Sequence, residues 1–247
     1  VKFLTSNFKG LEAHMADSHD KTGNIFTTSS DVIAITVNCD GFMGAGIALE
    51  GRLRWPAMFT QYAELCERGL MRPGVLDWWG PDDRGLRVLC FPTKAGWRQP
   101  SRISFIREGL QTLADSYRDQ SVTSIALPHL GCSHGGLTWG QVRPLILNQL
   151  GPLEDLTVEL WEFDARAEDP DYEKLVEILA NRSPSEIGTR LGLDRRSTKA
   201  LLDAAGSPHV VNLASLQNAR GIGEKTLEKI YDYLFRGSVD EEQQPLW

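Results

Sequence analysis

Two glycine-rich stretches and one lysine are the residues of this chain whose types and spacing could do chemistry. The first stretch, residues 37–48, reads VNCDGFMGAGIA, with Asn38 at its start and Gly41, Gly44 and Gly46 spaced through it. The second, residues 129–138, reads HLGCSHGGLT and carries Gly131, Gly135 and Gly136. Glycine lets a backbone approach a ligand closely, and the free N–H groups of a first helical turn favour an anion. Two such loops from two different strands can clamp one diphosphate between them. Neither stretch is Gly-x-x-x-x-Gly-Lys-Ser/Thr or Gly-x-Gly-x-x-Gly, so the two common nucleotide motifs do not fit. Lys94 stands in FPTKAGWR, residues 91–98, directly after an apolar run. Open α/β sheets place their ligands at the carboxyl ends of strands, which is where this lysine falls.

The elements that must position these groups follow from the hydrophobic pattern. Residues 31–37 are a β-branched run ending at Asn38, and Ile47, Ala48, Leu49 and Leu53 mark a helix after the first glycine loop. Trp55-Pro56 breaks that pattern, and residues 57–68 resume it with Met58, Tyr62 and Leu65 on one face. Strands over 75–79 and 86–91 flank a turn cluster at 81–85, the pattern of a hairpin. Ser101 is expected to cap a helix running to about Arg118, its core stripe being Ile103, Ile106, Leu110, Leu113 and Tyr117. A short buried strand at 124–128 leads into the second loop, a helix begins near Trp139, and 156–163 is a last strand. An opening strand is expected at 1–5. The polar stretch 7–30 holds either a short helix around 11–16 or a surface loop. The alternation implies an α/β domain, a mixed sheet between helices, ending near Phe163.

With 247 residues, 41% hydrophobic and 24% charged, the chain can bury one substantial core and carry a small second domain. A formal charge of −7 means that any contact with a polyanion must come from a local basic patch. Cys39, Cys66, Cys90 and Cys132 show no Cys-x-x-Cys pair or zinc-ligand spacing and read as reduced thiols. His14, Asp17, His19 and Asp20 stand where a signal peptide would need an apolar core, and no apolar run is long enough to span a bilayer, so a cytoplasmic protein is expected.

Three strings, VNCDGFMGAGIAL (37–49), FPTKAGWRQPSRISFIREGL (91–110) and SIALPHLGCSHGGLTWGQVRPLI (124–146), resemble the macrodomain of the DarG antitoxins and the related terminal ADP-ribose protein glycohydrolases. The resemblance covers roughly residues 31–163. It implies a three-layer α/β/α macrodomain with a mixed central sheet, binding ADP-ribose with its pyrophosphate between the two glycine loops. Carried over by position, Asn38, Gly41, Met43, Gly44, Gly46, Ile47 and Ala48 face the distal ribose and diphosphate. Thr93, Pro128, Leu130, Gly131, Cys132, Ser133, His134, Gly135, Gly136 and Leu137 complete the ADP-ribose site. Lys94 matches the lysine that DarG-like enzymes use for hydrolysis. A desolvated amine can attack the anomeric carbon, or stay charged and stabilise the departing group. The protein-directed glycohydrolases carry an acidic residue in the second loop, where this chain has His134-Gly135-Gly136, which favours the DarG side. Ahead of the second strand the family runs through a Gly-Asn-Leu element, and either residues 5–8 or residues 22–26 could supply it.

Residues 164–172 read as a linker, after which the pattern is wholly helical. Ser183-Pro184-Ser185-Glu186 is a capping box with proline at the first helical position. Residues 216–230 look like a helix-hairpin-helix whose turn, Gly221 to Gly223, presents N–H groups to a DNA phosphate, flanked by Lys225 and Lys229. An alternative makes 185–204 a helix-turn-helix. The expected organisation is a macrodomain at 1–166, a small all-α DNA-binding domain at 167–238 and an acidic tail at 239–247.

The resemblance implies a hydrolase that removes ADP-ribose from modified DNA bases and reverses a DarT-like transferase, with that transferase as a further partner. Tethering the helical domain would raise the effective concentration of modified DNA at the site. Hydrolysis of ADP-ribosylated protein carboxylates and non-catalytic reading of ADP-ribose are the alternatives. The mechanism needs no metal or redox cofactor and no membrane.

Overall fold

The structure, a computed structural model, describes residues 18–237. The strand expected at 1–5, the helix considered at 11–16 and the tail at 239–247 lie outside the described residues, as does the first of the two Gly-Asn-Leu alternatives.

Six strands form one sheet: β1 (Ser18–Gly23), β2 (Val32–Val37), β3 (Asp77–Trp79), β4 (Arg87–Pro92), β5 (Ser124–Pro128) and β6 (Thr157–Phe163). Their order is β1-β6-β5-β2-β4-β3, and all neighbours are parallel except the hairpin pair β3 and β4. The central strands are mostly apolar because both faces are covered. On one face Val32, Ala34, Leu89, Phe91, Ile125 and Leu127 pack against α3 (Ile103–Ser116) and α4 (Trp139–Leu150). On the other Ile33, Ile35, Val37, Val88, Cys90 and Ala126 pack against the Trp55, Met58 and Tyr62 side of α2 (Pro56–Glu67). Helix α1 (Gly46–Arg54) precedes α2 on that face. This is the expected three-layer α/β/α arrangement with a mixed sheet.

Strand β1 corrects the expectation of a surface loop for the part of the polar stretch at 18–23. Its sequence, SHDKTG, has no apolar residue, and its first five residues are exposed. It is a strand because its backbone pairs with β6 at the sheet edge, Ser18 opposite Val158 through Gly23 opposite Phe163. Arg143 adds an ion pair to Asp20 at 2.7 Å. Asn24 then caps a short 3-10 turn, Ile25–Thr27, by accepting from Phe26 N at 3.1 Å, so residues 22–26 run from the end of β1 into the connection to β2.

Beyond β6 come α5 (Pro170–Ala180), α6 (Pro184–Arg190), α7 (Arg195–Ala205), α8 (Leu213–Leu216) and α9 (Glu224–Arg236). The capping box at Ser183 forms as expected. The last four helices repeat a pattern. Ser183 and Asn212 each close a capping box, Ile187 and Leu216 are each fully buried in the helix that follows, and Gly192 and Gly221 take positive φ (62° and 85°) in the turn. Leu193 matches Ile222, and Leu201 matches Ile230. The two units also grip each other reciprocally. Lys229 Nζ in α9 donates to Gly192 O, and a Cβ at Gly221 would lie 3.2 Å from Ala200 Cβ in α7.

These helices are docked on the sheet domain. Leu53 of α1 belongs to the same apolar cluster as Leu175, Ile187, Leu213 and Ile230. Arg54 is buried between the rings of Phe26 and Phe235, at 4.4 and 4.6 Å, while it donates to Glu50 Oε1 at 3.0 and 2.8 Å and to Asp171 Oδ2 at 2.8 Å. The connection itself is pinned, since Asn212 Nδ2 donates to Ala165 O and Ala167 O, and Leu213 N donates to Asp169 Oδ2.

Candidate active site between two glycine loops

Strands β2, β4 and β5 are adjacent and parallel, so Asn38, Lys94 and the loop after Pro128 leave the same edge of the sheet. The three loops are joined to one another. Lys94 Nζ donates to His134 O at 2.5 Å, the Cys39 thiol lies 3.3 Å from Lys94 O, and Trp97 N donates to Asp40 Oδ2 at 2.9 Å. Lys94 is half-buried, and its amine stands against the second glycine loop.

Asn38 organises the first loop. Its Oδ1 accepts from Asp40 N at 2.9 Å and Phe42 N at 3.3 Å, its Nδ2 donates to Phe42 O at 2.5 Å, and the Tyr62 hydroxyl reaches both Asn38 O (2.9 Å) and Oδ1 (3.1 Å). The side chain expected to face a ribose is thus largely spent on the loop's own backbone, with one Nδ2 hydrogen left for a ligand. The loop leads into α1, whose cap residue Ala45 supplies no side-chain hydrogen bond, so the N–H groups of the first turn stay open to an anion. Gly46 holds φ of 56° there, a conformation that favours glycine. Met43 is expected at the ligand, but its side chain is 1% exposed and belongs to the core, so only its backbone can contribute.

Ser101 corrects another expectation. Helix α3 starts at Ile103 with Arg102 in the cap position and no side-chain cap. Ser101 instead donates its backbone N–H to Gly135 O at 2.9 Å and fixes the second loop, while its own Oγ is buried without a hydrogen-bond partner. The fit is tight: a Cβ at Gly135 would stand 2.2 Å from both Gly131 O and Ser101 Oγ. Ser133, His134 and Gly136 are exposed, and Pro128, Cys132 and Leu137 are half-buried. Leu130 is fully buried in the core, and Thr93 is buried with its N–H on Val37 O. Each therefore offers at most backbone.

No cysteine here is a ready nucleophile. Burial pushes the Cys39 thiol up to about 12 and raises that of Cys132, so both stay protonated at neutral pH. His129, at the base of the second loop, stacks on Trp139 with centroids 3.8 Å apart, and burial lowers its pKa. The imidazole is neutral there. The Lys94 amine, held at the second loop, is a side chain that could act on a bound electrophile, and the His134 imidazole lies in the same place, 3.8 Å from where a Cβ at Gly46 would stand. A separate cleft of about 840 Å³, lined by residues including Phe163, Ala200, His209 and Gly221, shares no residue with these loops.

No protein-family model matches the chain. Solved structures do. The macrodomain of Thermus aquaticus DarG aligns with a TM-score of 0.57 at 35% identity, over 60% of this chain and 99% of that one. Thermosipho africanus DarTG in complex with ADP-ribose aligns with a TM-score of 0.54 at 26% identity, over 63% of this chain and 44% of that one. Among curated proteins, the DNA ADP-ribosyl glycohydrolase of Mycobacterium tuberculosis is 36% identical over 143 residues, 57% of this chain. The chain spans 40% of that relative's length. The chain belongs, by its sheet and the loops at its edge, to the macrodomain family. Within that family it is of the DarG type, a match covering about 60% of its length.

Proposed function

We propose that the chain hydrolyses ADP-ribose from modified DNA bases and so reverses a DarT-like DNA ADP-ribosyltransferase, which is also its proposed partner. The observation that carries this reading is Lys94, whose Nζ donates to His134 O in the second glycine loop while its carbonyl meets the Cys39 thiol of the first. The curated relatives named DNA ADP-ribosyl glycohydrolase and the DarTG structure holding ADP-ribose support it. In this reading the open N–H groups before and in α1 and the second loop hold the pyrophosphate, and the distal ribose lies over Lys94. The bond from its anomeric carbon to the base breaks, its electron pair leaves with the base, which gains a proton, and a water oxygen ends on that carbon. Lys94 acts either by bonding transiently to the carbon before water displaces it or by lending charge and a proton to the departing base.

The C-terminal helices serve in this proposal as a DNA-binding region of helix-hairpin-helix type. Gly221, Gly223 and Lys225 meet a phosphate, and the repeat places Gly192 and Arg196 in the corresponding part of the first unit. Lys229, given the same task from sequence, has its Nζ on Gly192 O, so it braces the turn.

The test is release of free ADP-ribose by the full chain and by Lys94→Ala from ADP-ribosylated thymidine DNA, ADP-ribosylated guanosine DNA and an ADP-ribosylated protein in parallel. Release from DNA by the unmodified chain alone supports the reading and identifies the base. Bound ADP-ribose with no release from any substrate makes the chain a reader, and release from protein alone moves it to the protein-directed glycohydrolases.

A further inference from the structure

The carboxyl edge of the sheet holds more than the two glycine loops. Phe163, the last residue of β6, lies two positions beyond Trp161, which stands opposite Pro128 at the end of β5. Continued across the sheet, the strand registers set Phe163 level with Val37 and Pro92, the residues before Asn38 and Thr93. By strand alternation it shares a face with Trp161, which packs on the α1 and α2 side. Its side chain is 66% exposed, and among the described residues its ring makes no aromatic or cation contact. Beside it opens the cleft of about 840 Å³, a volume in the range of small-molecule sites. The opposite wall of that cleft comes from the C-terminal helices, with Ala204 in α7, Ala214 in α8, and Asn218 and Arg220 in the turn that follows. That wall is fixed to the end of β6. Asn212, at the head of α8, donates to Ala165 O and Ala167 O at 3.0 and 3.3 Å, and the Tyr172 hydroxyl donates to Val210 O at 3.0 Å.

We propose that the C-terminal helices form the outer wall of the nucleotide site, closing this cleft over the adenosine end of ADP-ribose. This rests on the ADP-ribose reading above. A diphosphate between the loops of β2 and β5, with one ribose over Lys94 on the β4 side, carries its other sugar the opposite way along the sheet edge. The next strand in that direction is β6, one strand spacing or about 5 Å beyond β5. Phe163 there offers a face on which a purine can stack, and the small side chains of Ala204 and Ala214 leave room for its plane. Asn218 Nδ2 donates to Ala214 O at 3.1 Å, which leaves Oδ1 and one Nδ2 hydrogen for the adjacent donor and acceptor on the edge of adenine. The Asp203 carboxylate at the margin is paired with Lys199 at 2.7 Å, while Arg220 has no ion pair among the described residues, so the cleft does not repel a diphosphate. The likeness to macrodomains over residues 31–163 stops at Phe163, and the helical wall lies outside it.

The experiment is calorimetric titration of ADP-ribose and of ADP into the full chain and its variants Phe163→Ala, Phe163→Tyr, Ala214→Leu and Asn218→Ala. ADP keeps the adenosine and the diphosphate but lacks the distal ribose, so the result does not depend on turnover. Removing the ring in Phe163→Ala and filling the cleft in Ala214→Leu are each expected to weaken both ligands about ten-fold, with recovery in Phe163→Tyr. Asn218 is exposed, so Asn218→Ala tests the helical wall without disturbing packing, and it is expected to weaken both ligands about three- to ten-fold. Unchanged affinity in Phe163→Ala, or full affinity in both helix variants, overturns the cleft and leaves the glycine-loop site intact. Binding of neither ligand by the unmodified chain overturns the ADP-ribose reading and the cleft with it.

Discussion

Lys94 and His134 are joined by a 2.5 Å hydrogen bond from the lysine amine to the histidine backbone carbonyl, a contact that ties the end of β4 to the second glycine loop. Because the acceptor is main chain, this contact does not depend on the histidine side chain. Replacing Lys94 with Ala is expected to lower release of ADP-ribose by a factor of about 10² to 10⁴, the range for losing a positioned acid, base or nucleophile. Calorimetric titration with ADP-ribose should still show binding. Turnover close to that of the unmodified chain would remove Lys94 from the reaction. Borohydride added during turnover separates its two roles, since only the bonded route leaves ADP-ribose covalently attached.

Tyr62 is fully buried beneath the first loop, with its hydroxyl on both oxygens of Asn38. Tyr62→Phe keeps the ring and removes that bond, which costs about 1 to 2 kcal/mol of stability. A loosened loop also presents its N–H groups less well, so ADP-ribose affinity falls with it. Chemical denaturation and titration of the same variant check the two effects together.

Ser101 and Gly135 give opposite results. The Ser101 hydroxyl is buried without a partner, so Ser101→Ala leaves stability unchanged or slightly raised. Gly135→Ala forces a methyl against Gly131 O and Ser101 Oγ, and the second loop must move. ADP-ribose affinity in that variant is expected to fall at least ten-fold, measured by titration, while the far-UV circular dichroism is retained.

Arg54 holds the helices to the sheet domain from a buried position, and removing it leaves Glu50 buried without its partner. Arg54→Met is expected to cost about 3 to 5 kcal/mol by denaturant unfolding. The Asp171 end of this cluster titrates. Burial alone would raise its carboxyl, but the Arg54 charge and hydrogen bond outweigh burial and hold it below the ordinary value. A depressed carboxylate contributes stability that is complete above its unfolded value, near pH 4, and is lost as pH falls through the lower folded value. The stability gap between the unmodified chain and Asp171→Asn should thus be constant near neutrality and close as pH drops below about 4.

What could be read from the sequence is what local pattern encodes. Strands β2, β4 and β5 are mostly apolar because both faces are covered, and that signal carried the two glycine loops and Lys94 with it. Strand β1 gave no such signal, since its side chains face solvent and only its backbone pairs. Ser101 looked like a cap because serine before an amphipathic stretch often is one, yet its N–H is taken by Gly135, which no local window contains. Asn38 and Tyr62, and Asp40 and Trp97, are likewise partners at a distance. The helical repeat was present in the letters, with Gly192 matching Gly221 and Leu201 matching Ile230, but Asp194 stands where Gly223 does and the turns no longer look alike. Each unit was accordingly read as a different motif.

The seat of Arg54 between Phe26 and Phe235 also bears on where this chain could be divided. A cut near residue 166 looks natural from sequence. The fragment it leaves would carry Leu53 bare to water, a guanidinium stripped of one ring and one carboxylate, and Glu50 at a newly opened surface. Such a fragment would be sticky and prone to associate with itself. Expression trials on the sheet domain alone would then report the injury of the cut, and measurements on such material would misrepresent the intact chain.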